Sequence, residues 1–288
     1  MTLAGARERL IDAGDVTLHV TELGAGPLVL LLHGFPDCGY TWRHQLPALA
    51  GAGFHAVAPD LRGYGVSSKP KGVSAYAVRE LATDVANLVT ALGAERADVV
   101  AHDWGGGAAW TFAMLYPQRL RRLVILNAPH PVTFQRHLRT LQQLKRSWYM
   151  FAFQLPVMPE AGLARNDFAS LRQVFRTASV RPGAFSEADI ERHVAALRPP
   201  GALTAALNYY RAAFRSVGPR ASLARRVDHP VRVLWGDQDR FLGTELADPG
   251  ADWVPHSTIQ HVPEAGHWIQ HDVPELVNDE LVTFFGRP

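Results

Sequence analysis

The 288-residue chain has a single cysteine, Cys38, so no disulfide can form within it. A small domain stapled by disulfides is thereby excluded. Uninterrupted apolar runs are short, and none reaches the roughly 20 residues of a membrane-spanning helix. The stretch from Met1 to Gly14 carries charges of both signs and no apolar segment, which argues against a secretory signal. An excess of one charge is also missing: 29 Lys and Arg stand against 27 Asp and Glu, a net +2. No block of basic residues is long enough to favour nucleic acid or an anionic membrane surface, and Arg119, Arg121 and Arg122 read as a solvated helix end. Neither metal-ligand spacing nor a phosphate-cradling glycine loop occurs. The expectation is a cytoplasmic protein with no cofactor, no metal and no nucleic-acid or membrane partner.

What is present is a full core. Hydrophobic residues make up 47% of the chain, and its length suits one large domain or a core with an insertion. Val16–Thr21 alternates polar and apolar residues, as a half-exposed strand does. The apolar run 27–32, ending at His33-Gly34, reads as a buried parallel strand. Further runs at 55–59, 97–101, 123–126, 231–235 and 257–262 give more strands. Ser74 is placed to cap a helix whose apolar positions Leu81, Val85, Leu88, Val89 and Leu92 share one face, with Gly93 ending it. Another helix follows Asp103. This alternation predicts an α/β fold with a mostly parallel sheet and helices on both faces. From 130 to 217 only helical patches occur. Expected domains are therefore a core at 1–129, an inserted helical cap at 130–217, and the rest of the core at 218–288.

Open α/β sheets carry their sites at the carboxyl ends of the strands. Those ends here read His33-Gly34-Phe35-Pro36, then His102-Asp103-Trp104-Gly105-Gly106, then Gly236-Asp237-Gln238-Asp239, with Gly266-His267-Trp268 after the last. The chain order is carboxylate, carboxylate, histidine. Nucleophile, acid and base follow in that order in α/β hydrolases.

On these residues the chain resembles the α/β-hydrolase superfamily and, within it, the soluble epoxide hydrolases, over nearly its whole length. His33 to Asp37 resembles that family's oxyanion-hole segment, Asp60 to Ser67 its following loop, and His102 to Gly106 its nucleophile elbow. Ala101 departs from the glycine of the elbow pattern but is small enough for the turn. The resemblance implies Asp103 as a carboxylate nucleophile that forms an ester, with Phe35 and Trp104 backbone N–H groups as oxyanion hole. It implies His267 as base for water and Asp239, 28 positions earlier, as its orienting acid. Asp237 is the alternative acid. Epoxide opening also needs a proton donor for the leaving oxygen, and a phenol of pKa about 10 is suitable. Tyr149, five residues before Gln154, and Tyr210, in Asn208-Tyr-Tyr-Arg211, match the family's two cap tyrosines. Tyr209 points about 100° away from Tyr210 on a helix.

The expected activity is hydrolysis of an epoxide, an ether-bond hydrolysis, with a small hydrophobic epoxide and water as reactants. Dehalogenation of haloalkanes or haloacids by the same residues is the alternative. Haloalkane dehalogenases have Trp after the nucleophile, as here, but usually Asn where this chain has Phe35. A non-catalytic binding protein on this fold would be expected to break the triad, and a serine esterase would need Ser at 103. His33 and His102 read as loop-shaping residues and Cys38 as an inert small one. The oligomeric state is not legible, a homodimer being one option.

Overall fold

A computed structural model describes residues 3–215 and 224–286. The expected boundary at 217/218, together with Met1 and Thr2, lies outside the described residues.

Eight strands form one sheet: β1 (Arg7–Asp12), β2 (Thr17–Leu23), β3 (Leu28–Leu32), β4 (His55–Pro59), β5 (Ala97–His102), β6 (Leu120–Leu126), β7 (Val231–Gly236) and β8 (Ser257–Val262). Their order is β1-β2-β4-β3-β5-β6-β7-β8. The six strands from β4 to β8 run parallel, while β2 is antiparallel to both β1 and β4. All five residues of β3 are buried. They serve two cores in alternation: Leu28, Leu30 and Leu32 pack on one face, Val29 and Leu31 on the other. That is why the sequence shows a continuous apolar run instead of an alternating one.

Helices cover both faces, as expected. On one lie α2 (Val78–Ala91) and α3 (Trp104–Leu115), which pack against each other; on the other lie α1 (Gln45–Gly51), the short α10 (Ile269–Asp272) and α11 (Pro274–Phe285). Between β6 and β7 the described residues form helices only: α4 (Pro131–His137), α5 (Leu141–Arg146), α6 (Trp148–Ala152), α7 (Met158–Ala178), α8 (Glu187–Leu197) and α9 (Ala202–Arg215). The backbone leaves helical geometry from Arg165 to Phe168, so α7 is two helices joined at a kink. Among the described residues no helix is long and apolar enough to cross a membrane.

Three local expectations need correction. Strand β1 escaped notice because it is a sheet edge with mostly exposed side chains, so it has no apolar alternation. Ser74 does not cap α2; it sits in a 3₁₀ turn, Val73–Tyr76, and Ala77 precedes the helix without a side-chain cap. Arg121 and Arg122 are not at a helix end but in β6, which starts at Leu120. Arg121 pairs with buried Asp98 at 2.9 Å, and Arg122 donates to the Phe285 carbonyl at 2.7 Å.

Candidate active site

Strand β5 delivers Asp103 to the carboxyl edge of the sheet. Ala101 is fully buried in β5, and Asp103 turns the chain into α3 with φ 50° and ψ −120°. A non-glycine residue in that region costs about 1–3 kcal/mol and persists only where its surroundings hold it. Two glycines allow the turn. A Cβ on Gly105 would collide with the Leu32 and His33 carbonyl oxygens, and one on Gly34 with the Asp103 carboxylate. The strand end and the elbow therefore approach closely enough for contact through the backbone.

That approach sets the two carboxylate oxygens apart. The Phe35 N–H donates to Asp103 Oδ1 at 2.8 Å, whereas Oδ2 lies 3.9 Å from His267 Nε2, beyond hydrogen-bond reach. Trp104 opens α3, so its N–H is one of the helix-start donors without an intrahelical acceptor.

His267 Nδ1–H donates to Asp239 Oδ2 at 2.8 Å, and both residues are buried. Asp239 is itself pinned: its Oδ1 accepts from the Phe241 and Leu242 N–H groups at 2.7 and 3.0 Å, and its Oδ2 also accepts from Asn127 Nδ2 at 2.8 Å. Burial pushes the Asp239 carboxyl up, but the His267 charge and these donors outweigh it and hold it below its ordinary value. Burial likewise pulls His267 down, yet Asp239, then Asp103 and Asp37, raise it to about 9. Asp237 is elsewhere, accepting from His261 at 2.6 Å near the surface.

Asn127 was missed in the sequence. It follows β6 directly, with φ 40°, and its Oδ1 accepts from the Gly236 N–H at 2.8 Å. The available signal was a polar residue at the carboxyl end of a buried strand, the rule that found the others. Behind His267, His102 Nε2–H donates to the His267 carbonyl at 2.8 Å. The buried carboxylate of Asp37 lies 3.7 Å from His102 Nδ1 and accepts from the Trp268 indole at 3.0 Å. His33 joins two loops, donating to the Gly34 carbonyl at 2.8 Å and accepting from the Leu61 N–H at 3.0 Å. Cys38 is buried near His193, and burial pushes its thiol up.

Tyr149 in α6 and Tyr210 in α9 line one cavity of about 230 Å³ together with Asp103. Their ring centroids are 5.9 Å apart, and Tyr210 packs edge-on against Trp104 at 4.9 Å and Phe35 at 5.5 Å. Burial, reinforced by the Asp103 charge, pushes both phenols up, so both keep their protons at neutral pH. Tyr209 is committed elsewhere, its hydroxyl donating to the Arg62 carbonyl at 2.7 Å, although its ring borders the same cavity. Most of the remaining wall is apolar, including Phe134, Leu138, Met150 and Leu242. Such a cavity favours a small hydrophobic ligand.

A sharp strand-to-helix turn that carries Asp103, a histidine–carboxylate pair at the ends of later strands and a helical insertion after β6 define a class of protein. The sequence profile described as alpha/beta hydrolase fold matches residues 27–274, and the chain belongs to this family. Within it the chain is epoxide hydrolase-like. It is 35% identical to epoxide hydrolase 4 of Mus musculus over 96% of this chain and 78% of that protein. An AB hydrolase superfamily protein of Bacillus subtilis (strain 168) is 39% identical over 97% of this chain and 98% of its own length. The crystal structure of a Bacillus megaterium epoxide hydrolase in complex with an inhibitor superposes with a TM-score of 0.88, at 34% identity, covering 97% of this chain and all of that one.

Proposed function

We propose that the protein hydrolyses small hydrophobic epoxides to vicinal diols through an ester on Asp103, with residues 130–217 acting as the cap over the cavity. The observation that carries this reading is one apolar cavity shared by a carboxylate and two protonated phenols. Asp103 Oδ2 attacks a ring carbon, the carbon–oxygen bond opens, and the ring oxygen takes a proton from Tyr149 or Tyr210. The alkylated enzyme carries its ester carbonyl on Oδ1, where the Phe35 N–H already donates. Once Asp103 is an ester, its charge no longer helps to hold a proton on His267. The neutral imidazole takes a proton at Nε2 from the water that attacks the Asp103 carboxyl carbon. Negative charge gathers on Oδ1 against the Phe35 and Trp104 N–H groups. Collapse breaks the ester bond, and the leaving alkoxide takes the proton still on the water-derived oxygen. Diol and carboxylate thus separate, and the carboxylate keeps one oxygen from water. The proton on His267 returns to the tyrosinate left by ring opening. Asp239 and Asn127 fix the imidazole for this step.

The test is incubation with a panel of epoxides and haloalkanes, following diol and halide separately, with Asp103→Ala as control. The expected result is diol from epoxides and none from the variant. Halide release without diol would move the protein to the dehalogenase reading. No turnover of either class would favour a binding protein.

A further inference from the structure

Eight large apolar side chains stand well exposed among the described residues, and six of them lie between 141 and 158. Leu141 is 78% exposed, Trp148 67%, Val157 74% and Met158 70%; Phe151 and Leu155 complete the group. Exposed apolar residues scattered singly need no explanation, but six within one short stretch of chain do. The same stretch reaches inward as well. Leu138, Tyr149 and Met150 line the cavity that holds Asp103. Trp148 and Tyr149, neighbours in α6, thus face outward and inward respectively.

The segment that carries these residues has charge of one sign up to Glu160, which pairs with Arg211. Residues 131–159 contain Arg136, Arg139, Lys145 and Arg146 and no Asp or Glu. None of these four side chains has a carboxylate within 4 Å among the described residues. Because the whole chain has 29 basic and 27 acidic residues, the remainder carries 25 against 27. The near-neutral total therefore conceals a cationic, apolar lip beside the cavity and a slightly acidic body.

We propose that this lip docks on the surface of an anionic lipid bilayer, seating the apolar side chains among the acyl chains and the cations among the headgroups. Both halves of the feature are needed by such a surface: apolar area for insertion and basic residues for attraction. A second copy of the chain is the poorer occupant. A symmetric contact through this patch sets the same four cations against each other. Nucleic acid is poorer too: Trp148 and Phe151 offer rings on which a base could stack, but the other four exposed side chains, Leu141, Leu155, Val157 and Met158, do not. The consequence is a route by which a hydrophobic substrate dissolved in the bilayer reaches the cavity without crossing water. The proposal departs from the expectation, drawn from net charge and block length, of no membrane partner. Docking itself does not depend on the epoxide reading.

The test is flotation of the whole protein with phosphatidylcholine vesicles and with mixed phosphatidylcholine–phosphatidylglycerol vesicles, at low and high salt. Two variants accompany it: R136Q/R139Q/K145Q/R146Q, and W148S/F151S, each checked for fold by circular dichroism and thermal unfolding. The expected result is binding to the anionic vesicles only, weakened by salt. Each neutralised cation lowers the partition coefficient about fivefold, so the quadruple variant loses more than about a hundredfold. The apolar variant also releases the vesicles while its fold is unchanged. Equal binding to neutral vesicles, no binding to either, or unaltered binding in both variants overturns the proposal. So does a dimer in sedimentation that W148S/F151S dissociates, or tight binding to single-stranded DNA with none to vesicles.

Discussion

The two oxygens of Asp103 have different surroundings, and in the proposed mechanism the difference gives them different parts. Oδ1 is held by the Phe35 N–H, while Oδ2 has His267 at 3.9 Å and, among the described residues, no hydrogen-bond partner. Attack by Oδ2 and charge accumulation on Oδ1 follow without moving the side chain. His267 then matters only for the second half of the cycle, so His267→Gln is expected to form the ester and fail to hydrolyse it. Intact-protein mass spectrometry should find the protein plus one epoxide, localised to the Asp103 peptide; an unmodified variant that still consumes substrate would contradict this. On the same proposal the phenols matter only for the first half. Tyr149→Phe and Tyr210→Phe should each slow ester formation about tenfold to a hundredfold, and the double variant about 10⁴-fold, in stopped-flow measurements. A double variant as fast as the parent would leave the two rings as wall only. Stability should report the His267–Asp239 pair. His267 is raised from its ordinary 6.5 to about 9 in the folded state. Its contribution is therefore complete below pH 6.5 and lost as pH rises through 9. Denaturant unfolding of the parent and Asp239→Asn should differ most near pH 6 and converge toward pH 10. A gap that stays constant across that range would mean that His267 titrates normally.

At the level of elements, the site depends on how α9 is anchored. The Tyr209 hydroxyl holds the Arg62 carbonyl, and the Arg62 guanidinium grips Asp84 of α2 in a buried ion pair. That anchor sets the rotation of α9 and so directs Tyr210, not Tyr209, against Trp104 and Tyr149. Tyr209→Phe should therefore cost about 1 kcal/mol of stability and reduce turnover far less than Tyr210→Phe does. Matched thermal unfolding and kinetics check this; the reverse ranking would exchange the two roles. The same elements show why part of the fold could be read from sequence and part could not. Buried parallel strands announce themselves as apolar runs, and their ends led to Asp103 and Asp239, while His267 follows the half-exposed edge strand β8. An edge strand such as β1 has no such signature, because solvent accepts almost any side chain there. Ser74 was a good capping residue in the wrong place: the 3₁₀ turn before α2 absorbs it. Asn127 escaped because its importance comes from contacts with Gly236 and Asp239, over a hundred residues away in sequence.

For the whole molecule, the sheet is a rigid platform and the helices after β6 complete the site from above. Strands β3, β5, β6 and β7 lie side by side in the sheet, so Phe35, Asp103, Asn127 and Asp239 meet although they are far apart in the chain. Overall composition reported none of this, and its near-zero charge hid the cationic lip as well. The central claim concerns the whole cycle: the oxygen delivered to substrate comes from Asp103, and water repairs the carboxylate afterwards. A single turnover in ¹⁸O-labelled water, with enzyme in excess over epoxide, tests it most directly. The expected result is a diol without label and an Asp103 peptide that gains it. Labelled diol in the first turnover, with an unlabelled Asp103 peptide, would mean that water attacks the epoxide itself and would contradict the covalent account.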